Sequence, residues 1–142
     1  MLKNILFVED DGRTLSLVEE LEEIHHLTVY NATCNWKDVE RWLTGKPGAA
    51  SFAALIFDLK VPTYRLEQYG ERIYNEALDF SPSLYFINQF IKPYYPQTLN
   101  RILIYSGFIK EAAKAVDLSS YKVFDKSSNI NLVDDVLKLV SK

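Results

Sequence analysis

Three short stretches of this chain are apolar on both of their faces, and that narrows the choice of fold more than any other feature. Ile5-Leu6-Phe7-Val8, Ala53-Ala54-Leu55-Ile56-Phe57 and Ile102-Leu103-Ile104-Tyr105 carry no charged or amide side chain. A strand with one face in water alternates apolar and polar residues, whereas a strand covered by helices on both faces reads as a continuous apolar run. The segments between them have helical spacing. Leu15, Val18, Leu21 and Ile24 recur on one stripe behind a start at Asp11 or Gly12, and Trp36, Val39, Trp42 and Leu43 do so behind a cap at Thr33 or Asn35. Leu27 to Thr33 and Tyr121 to Phe124 complete the strands, while Ile109–Val116 and Asn131–Val140 complete the helices. Strands alternating with helices predict an α/β fold, a doubly wound, five-stranded parallel sheet with right-handed crossovers and helices on both faces.

At 142 residues the chain fits a single domain that spans 1–142, and it ends soon after its last expected helix, which predicts no separate effector domain. The net charge is −3, from sixteen basic and nineteen acidic side chains, with no Lys/Arg-rich run, so the electrostatic footprint of a nucleic-acid binder is missing. The single cysteine, Cys34, excludes an internal disulfide and a cysteine-based zinc cluster. The first apolar run is too short for a signal-peptide core or a membrane span, so the expected location is cytoplasmic, with no membrane partner. His25 and His26 are neighbours on or near a helix end and point apart, which favours capping or solvation over a ligand pair.

The irregular part runs from Pro62 to Asn100. Two helical pieces are expected there, near Glu67–Leu78 and Ser83–Ile91, separated by Phe80-Ser81-Pro82, with Pro93 and Pro96 ending the second. Nine of the chain's nineteen aromatic residues lie between Tyr64 and Tyr95. They read either as an enlarged hydrophobic layer, with Leu84, Ile87 and Ile91 facing the sheet, or as a surface for a partner protein or a second copy of the chain.

In an open parallel sheet, ligands gather outside the carboxyl ends of the strands. Strand one delivers Glu9 and Asp10 to that edge, strand three Asp58, strand four Ser106 and strand five Lys126. Three carboxylates held together would repel unless a cation joined them. A hard divalent ion such as Mg2+ accepts oxygen ligands and keeps several waters, so a few carboxylates and a phosphate suffice. Lys126 and Ser106 would then stabilise the oxygens of a phosphoryl group in transfer, chemistry that needs mostly positioning and charge neutralisation.

These residues resemble the receiver domain of two-component response regulators, the CheY-like, flavodoxin-like fold. The matching pieces are Ile5-Leu6-Phe7-Val8-Glu9-Asp10-Asp11, Leu55-Ile56-Phe57-Asp58-Leu59-Lys60-Val61-Pro62, Ile102-Leu103-Ile104-Tyr105-Ser106-Gly107 and Val123-Phe124-Asp125-Lys126. The resemblance implies that Asp58 is the phosphoacceptor, taking its phosphoryl group from a phosphohistidine on a sensor histidine kinase or a histidine phosphotransfer protein. It implies Mg2+ on Glu9, Asp10, Asp58 and the backbone carbonyl of Lys60, a switch hydroxyl on Ser106 and a phosphate-pairing Lys126. Output would come from altered contact with a downstream protein or a homodimer, and the chain would be a signalling module, not a turnover enzyme.

The chain departs from the family's pattern in three places. Ser127 stands after Lys126 where family members usually carry proline, and Val123 occupies the position of the usual switch aromatic, with Tyr105 and Tyr121 nearby. The Asp58–Ser106 segment is longer than the family norm by roughly one and a half dozen residues, an insertion in about 63–82 that enlarges the β3–β4 region. Phe108, two residues past Ser106, is bulky enough to obstruct an in-line water, which predicts a long-lived phosphorylated state. The main alternative is a receiver-like interaction module that is not regulated by phosphorylation; the full set of acidic, hydroxyl and lysine residues argues against it. Dehalogenase-type phosphatases need an acid two residues past the nucleophile, where this chain has Lys60.

Overall fold

The computed structural model describes residues 2–9, 15–32, 36–59, 81–107, 109–113, 117–126 and 132–142. The apolar runs become strands Asn4–Val8 (β1), Thr28–Ala32 (β2), Phe52–Phe57 (β3), Ile102–Ser106 (β4) and Lys122–Asp125 (β5). All four pairings are parallel, in the order β2-β1-β3-β4-β5. The direction of winding reverses between β1 and β3, and in open parallel sheets ligands gather outside the carboxyl ends of the strands at such a point. The central strands bury every face: Ile5, Leu6 and Phe7 of β1 and Ala54 through Phe57 of β3 are at 0% exposure. The edge strand β5 begins one residue later than expected, because Tyr121 still belongs to the preceding turn, its N–H donating to the Leu118 carbonyl at 3.0 Å.

Two apolar layers lie on the sheet, divided by strand alternation. Ile5, Phe7, Ile56 and Leu103 pack with Val18, Leu21, Leu132 and Val136, beneath helices Leu15–Glu19 (α1) and Leu132–Val140 (α5). Leu6, Val8, Leu55, Phe57 and Ile104 pack with Trp36, Val39, Leu43, Leu84, Phe86 and Ile87 on the other face. That second layer is carried by Trp36–Thr44 (α2) and Pro82–Phe86 (α3), with Ile109–Ala113 (α4) beside them. Leu84, Ile87 and Ile91 are buried against the sheet as expected, and Trp36, Phe86 and Phe90 form a continuous ring stack with centroids 4.8 and 5.0 Å apart.

Two expectations for the helices are not met. α1 passes into a π-turn, Glu20–Ile24, and α3 into another, Ile87–Ile91. A π-turn holds more residues per revolution than an α-turn, so residues after it slip out of phase with the apolar stripe. Ile24 therefore leaves the core and is 65% exposed, while Leu21 stays at 0%. In the second case Pro93 does not end the helix, which continues through Lys92–Tyr94 before a 3-10 segment, Pro96–Arg101. Pro93 has no N–H to donate, and the turn closes past it through the Tyr95 N–H on the Ile91 carbonyl at 2.7 Å. His26 follows the first π-turn with φ 57°, so the pair does serve to end a helix, and the Leu27 N–H closes it on the Leu21 carbonyl at 3.0 Å. The helix expected near Glu67–Leu78, the caps at Thr33, Asn35, Asp11 and Gly12, and Cys34 lie outside the described residues.

The phase slip is testable in solution. Ile24→Lys should leave the urea unfolding free energy within about 0.5 kcal/mol of wild type. Leu21→Ala, three residues earlier on what the sequence reads as the same stripe, should cost about 2–5 kcal/mol.

Candidate functional site

The strand ladders set the height of each candidate residue. Past the end of β1, the Glu9 N–H donates to the Ala32 carbonyl at 3.3 Å, and past the end of β3 the Asp58 N–H donates to the Val8 carbonyl at 3.0 Å. Ser106 closes β4 opposite Asp125, and the Lys126 N–H donates back to the Ser106 carbonyl at 3.1 Å. The four residues are thus the last rungs of one ladder, at the carboxyl edge of the sheet. Glu9 is 1% exposed, Asp58 5% and Ser106 0%.

Lys126 reaches inward from the edge strand to join the two acids. Its Nζ lies 3.1 Å from Asp58 Oδ2 and forms an ion pair with Glu9 Oε2. Burial alone would push the Lys126 ammonium pKa down, but the Glu9 and Asp58 carboxylates more than offset this and hold it above the ordinary lysine value. The ring of Tyr105 stands 5.2 Å from the same ammonium. Among the described residues the arrangement sets two carboxylates and one cation together with little side-chain exposure, where electrostatic effects are large.

Of the residues expected at the site, the structure brings together Glu9, Asp58 and Lys126 and sets Ser106 on the same edge. Asp10 and Lys60 lie outside the described residues, as do Phe108 and Ser127. Among the described residues no three His, Cys, Asp or Glu side chains gather to hold a metal. The two carboxylates present, Glu9 and Asp58, are hard oxygen donors of the kind Mg2+ takes. Val123 is 40% exposed on the edge strand.

Two residues that the sequence reading did not single out also act on the site. Ser83, at 0% exposure, donates its hydroxyl to the backbone carbonyl of Asp58, and Ser81 donates to that of Leu59. Ser81 is at the same time the N-cap of α3, accepting from the Leu84 N–H at 3.3 Å, with Pro82 in the first turn. The Ser-Pro-Ser sequence signals a helix start, but nothing in it says that the helix would grip a peptide 22 to 25 residues earlier in the chain.

No protein-family model and no curated protein matches the sequence. Solved structures match it along nearly its whole length. A response regulator receiver domain protein from Clostridium thermocellum superposes with TM-score 0.60 at 18% identity, covering 99% of this chain and 93% of that one. A CheY-like receiver domain protein from Methanospirillum hungatei superposes with TM-score 0.58 at 17% identity, covering 99% and 92%. The response regulator TrrA from Thermotoga maritima, solved in complex with Mg(2+)-BeF, gives TM-score 0.60 at 18% identity, covering 97% and 99%. The chain therefore has the fold of response regulator receiver domains. Among the described residues no helix is long and apolar enough to cross a membrane.

Two substitutions test the geometry. Ser83→Ala withdraws a donor from a buried carbonyl and should lower the unfolding free energy in urea by about 1–3 kcal/mol. Lys126→Met strands two buried carboxylates and should cost on the order of 3 kcal/mol at neutral pH. Because folding raises the Lys126 pKa, the stability it contributes is full below the usual lysine value of about 10.4 and is lost as pH climbs through the higher folded value. Lys126→Met should remove that part of the alkaline decline.

Proposed function

We propose that this chain is a receiver module that accepts a phosphoryl group on Asp58 and signals by changing its contacts with another protein. The observation that carries this reading is the pairing of a 5%-exposed Asp58, at the sheet's switch point, with the Lys126 ammonium 3.1 Å away. The donor is a phosphohistidine on a sensor histidine kinase or histidine phosphotransfer protein. An Asp58 carboxylate oxygen forms a bond to phosphorus as the phosphorus–nitrogen bond breaks, and the electron pair returns to the imidazole nitrogen, which takes up a proton. The product is an acyl phosphate on Asp58 and a neutral histidine on the donor.

Most of the work falls on charge placement. Lys126 faces the phosphoryl oxygens from the edge-strand side, and the Ser106 hydroxyl donates to another of them. Glu9, Asp10, Asp58 and the Lys60 carbonyl would hold Mg2+, which supplies neutralisation of the charge building on the group in transfer. The Mg(2+)-BeF complex of TrrA supports that choice of ion. The ladder through Glu9, Asp58 and Lys126 and the Ser83 clamp keep these groups in place, so little reorganisation accompanies transfer.

In this reading the module works in the cytoplasm, without nucleic acid or membrane. We assign the exposed part of the aromatic-rich segment to a downstream protein or a second copy of the chain, while Phe86, at 1% exposure, belongs to the hydrophobic layer. Tyr94, near the segment's described end, is 67% exposed, as such a surface requires.

Incubation with Mg2+ and a small phosphodonor such as acetyl phosphate, followed by intact-mass measurement, should show the gain of a single phosphoryl group. Asp58→Asn and chelation of the metal should each abolish it. A wild-type chain that stays unmodified under conditions that phosphorylate a known receiver would refute the reading in favour of an interaction module that does not use phosphorylation.

A further inference from the structure

Among the described residues three groups face Lys126, and two of them are carboxylates. The third is the face of Tyr105, whose ring centroid lies 5.2 Å from Nζ, within the ~6 Å over which an aromatic quadrupole attracts an ammonium group. Phe7 of β1 meets the Tyr105 ring edge-on, with centroids 6.3 Å apart and planes at 83°. Phe7 is wholly buried and lies two residues before Glu9, so the ring and the acid are braced from the same strand. Tyr105 immediately precedes Ser106 on β4. It also lines a cavity of about 270 Å³ with Ser16, Leu17, Glu20, Leu132 and Val133, so packing does not enclose the ring on that side.

We propose that Tyr105 is a positioning residue for the phosphoacceptor site, its π face presenting the Lys126 ammonium to Asp58. The inference rests on the reading of Asp58 given above and goes beyond it. Lys126 comes from an edge strand on a long flexible stem, and carboxylates attract it without restricting its direction of approach. When Asp58 is esterified, that partner changes in both charge and shape. Tyr105 does neither, so it is the constant side of the cage in both states. The contact needs an aromatic face and not a phenolic hydroxyl, so phenylalanine should serve equally well.

The test is the affinity of the full chain for beryllofluoride in the presence of Mg2+, followed by fluorine NMR. Tyr105→Phe should bind within about twofold of wild type, and Tyr105→Leu, which keeps apolar bulk without a ring, about fivefold or more weaker. Phenylalanines carrying successive ring fluorines at position 105 keep the shape while draining the π face. Affinity should fall stepwise along that series with the thermal midpoint unchanged, which a purely structural role would not produce. This series also decides the matter if Tyr105→Leu fails to fold. A flat series in a chain that binds beryllofluoride overturns the role of Tyr105 alone. A wild-type chain that neither binds beryllofluoride nor accepts a phosphoryl group overturns the Asp58 reading, and this one with it.

Discussion

Among the described residues two carboxylates almost without solvent contact face one ammonium, and the rest of the site depends on that balance. Glu9 and Asp58 are 1% and 5% exposed. Two buried carboxylates repel each other and have lost most of their hydration, and an ammonium set between them offsets both costs. Lys126 supplies the charge from the far edge of the sheet, across the full width of β4. One ammonium thus faces both acids.

That balance is possible only because backbone hydrogen bonds put the three side chains at one level. Parallel pairing carries each strand's last N–H to its neighbour, Glu9 to β2, Asp58 to β1 and Lys126 to β4. A one-residue slip in any pairing would turn the corresponding side chain to the opposite face. The buried apolar faces of β1 and β3 prevent such slips, so the hydrophobic layers hold the electrostatic site in register. The clamp from Ser81 and Ser83 adds a second hold on the peptide that carries Asp58, and it comes from a helix whose own burial through Leu84, Phe86 and Ile87 is independent of the site.

Much of this was legible in the amino-acid sequence, because strand burial and strand ends write directly into local composition. Ile5–Val8, Ala53–Phe57 and Ile102–Tyr105 could hardly be anything but central strands, and Glu9, Asp58, Ser106 and Lys126 follow from where those and the fifth strand stop. Helix phase was less legible. Ile24 fits the apolar stripe of α1 by spacing, and a π-turn rotates it into solvent. Pro93 reads as a stop, yet the helix runs one residue past it, to Tyr94, because the Tyr95 N–H can still reach the Ile91 carbonyl. A π-turn has no reliable signature in composition, since it arises when tertiary packing favours a shift of one residue over an unbroken α-helical ladder.

The sequence alone determined the fold class and the residue types set along the carboxyl edge of the sheet, since each depends on local pattern and on the order of elements along the chain. Tertiary structure decided which of those groups touch. It placed Lys126 between Glu9 and Asp58, put the Tyr105 ring against the same ammonium and turned the Ser83 hydroxyl onto the Asp58 carbonyl. Those contacts join residues far apart in the chain, and their distances are set by how whole helices pack on the sheet, which no local pattern records.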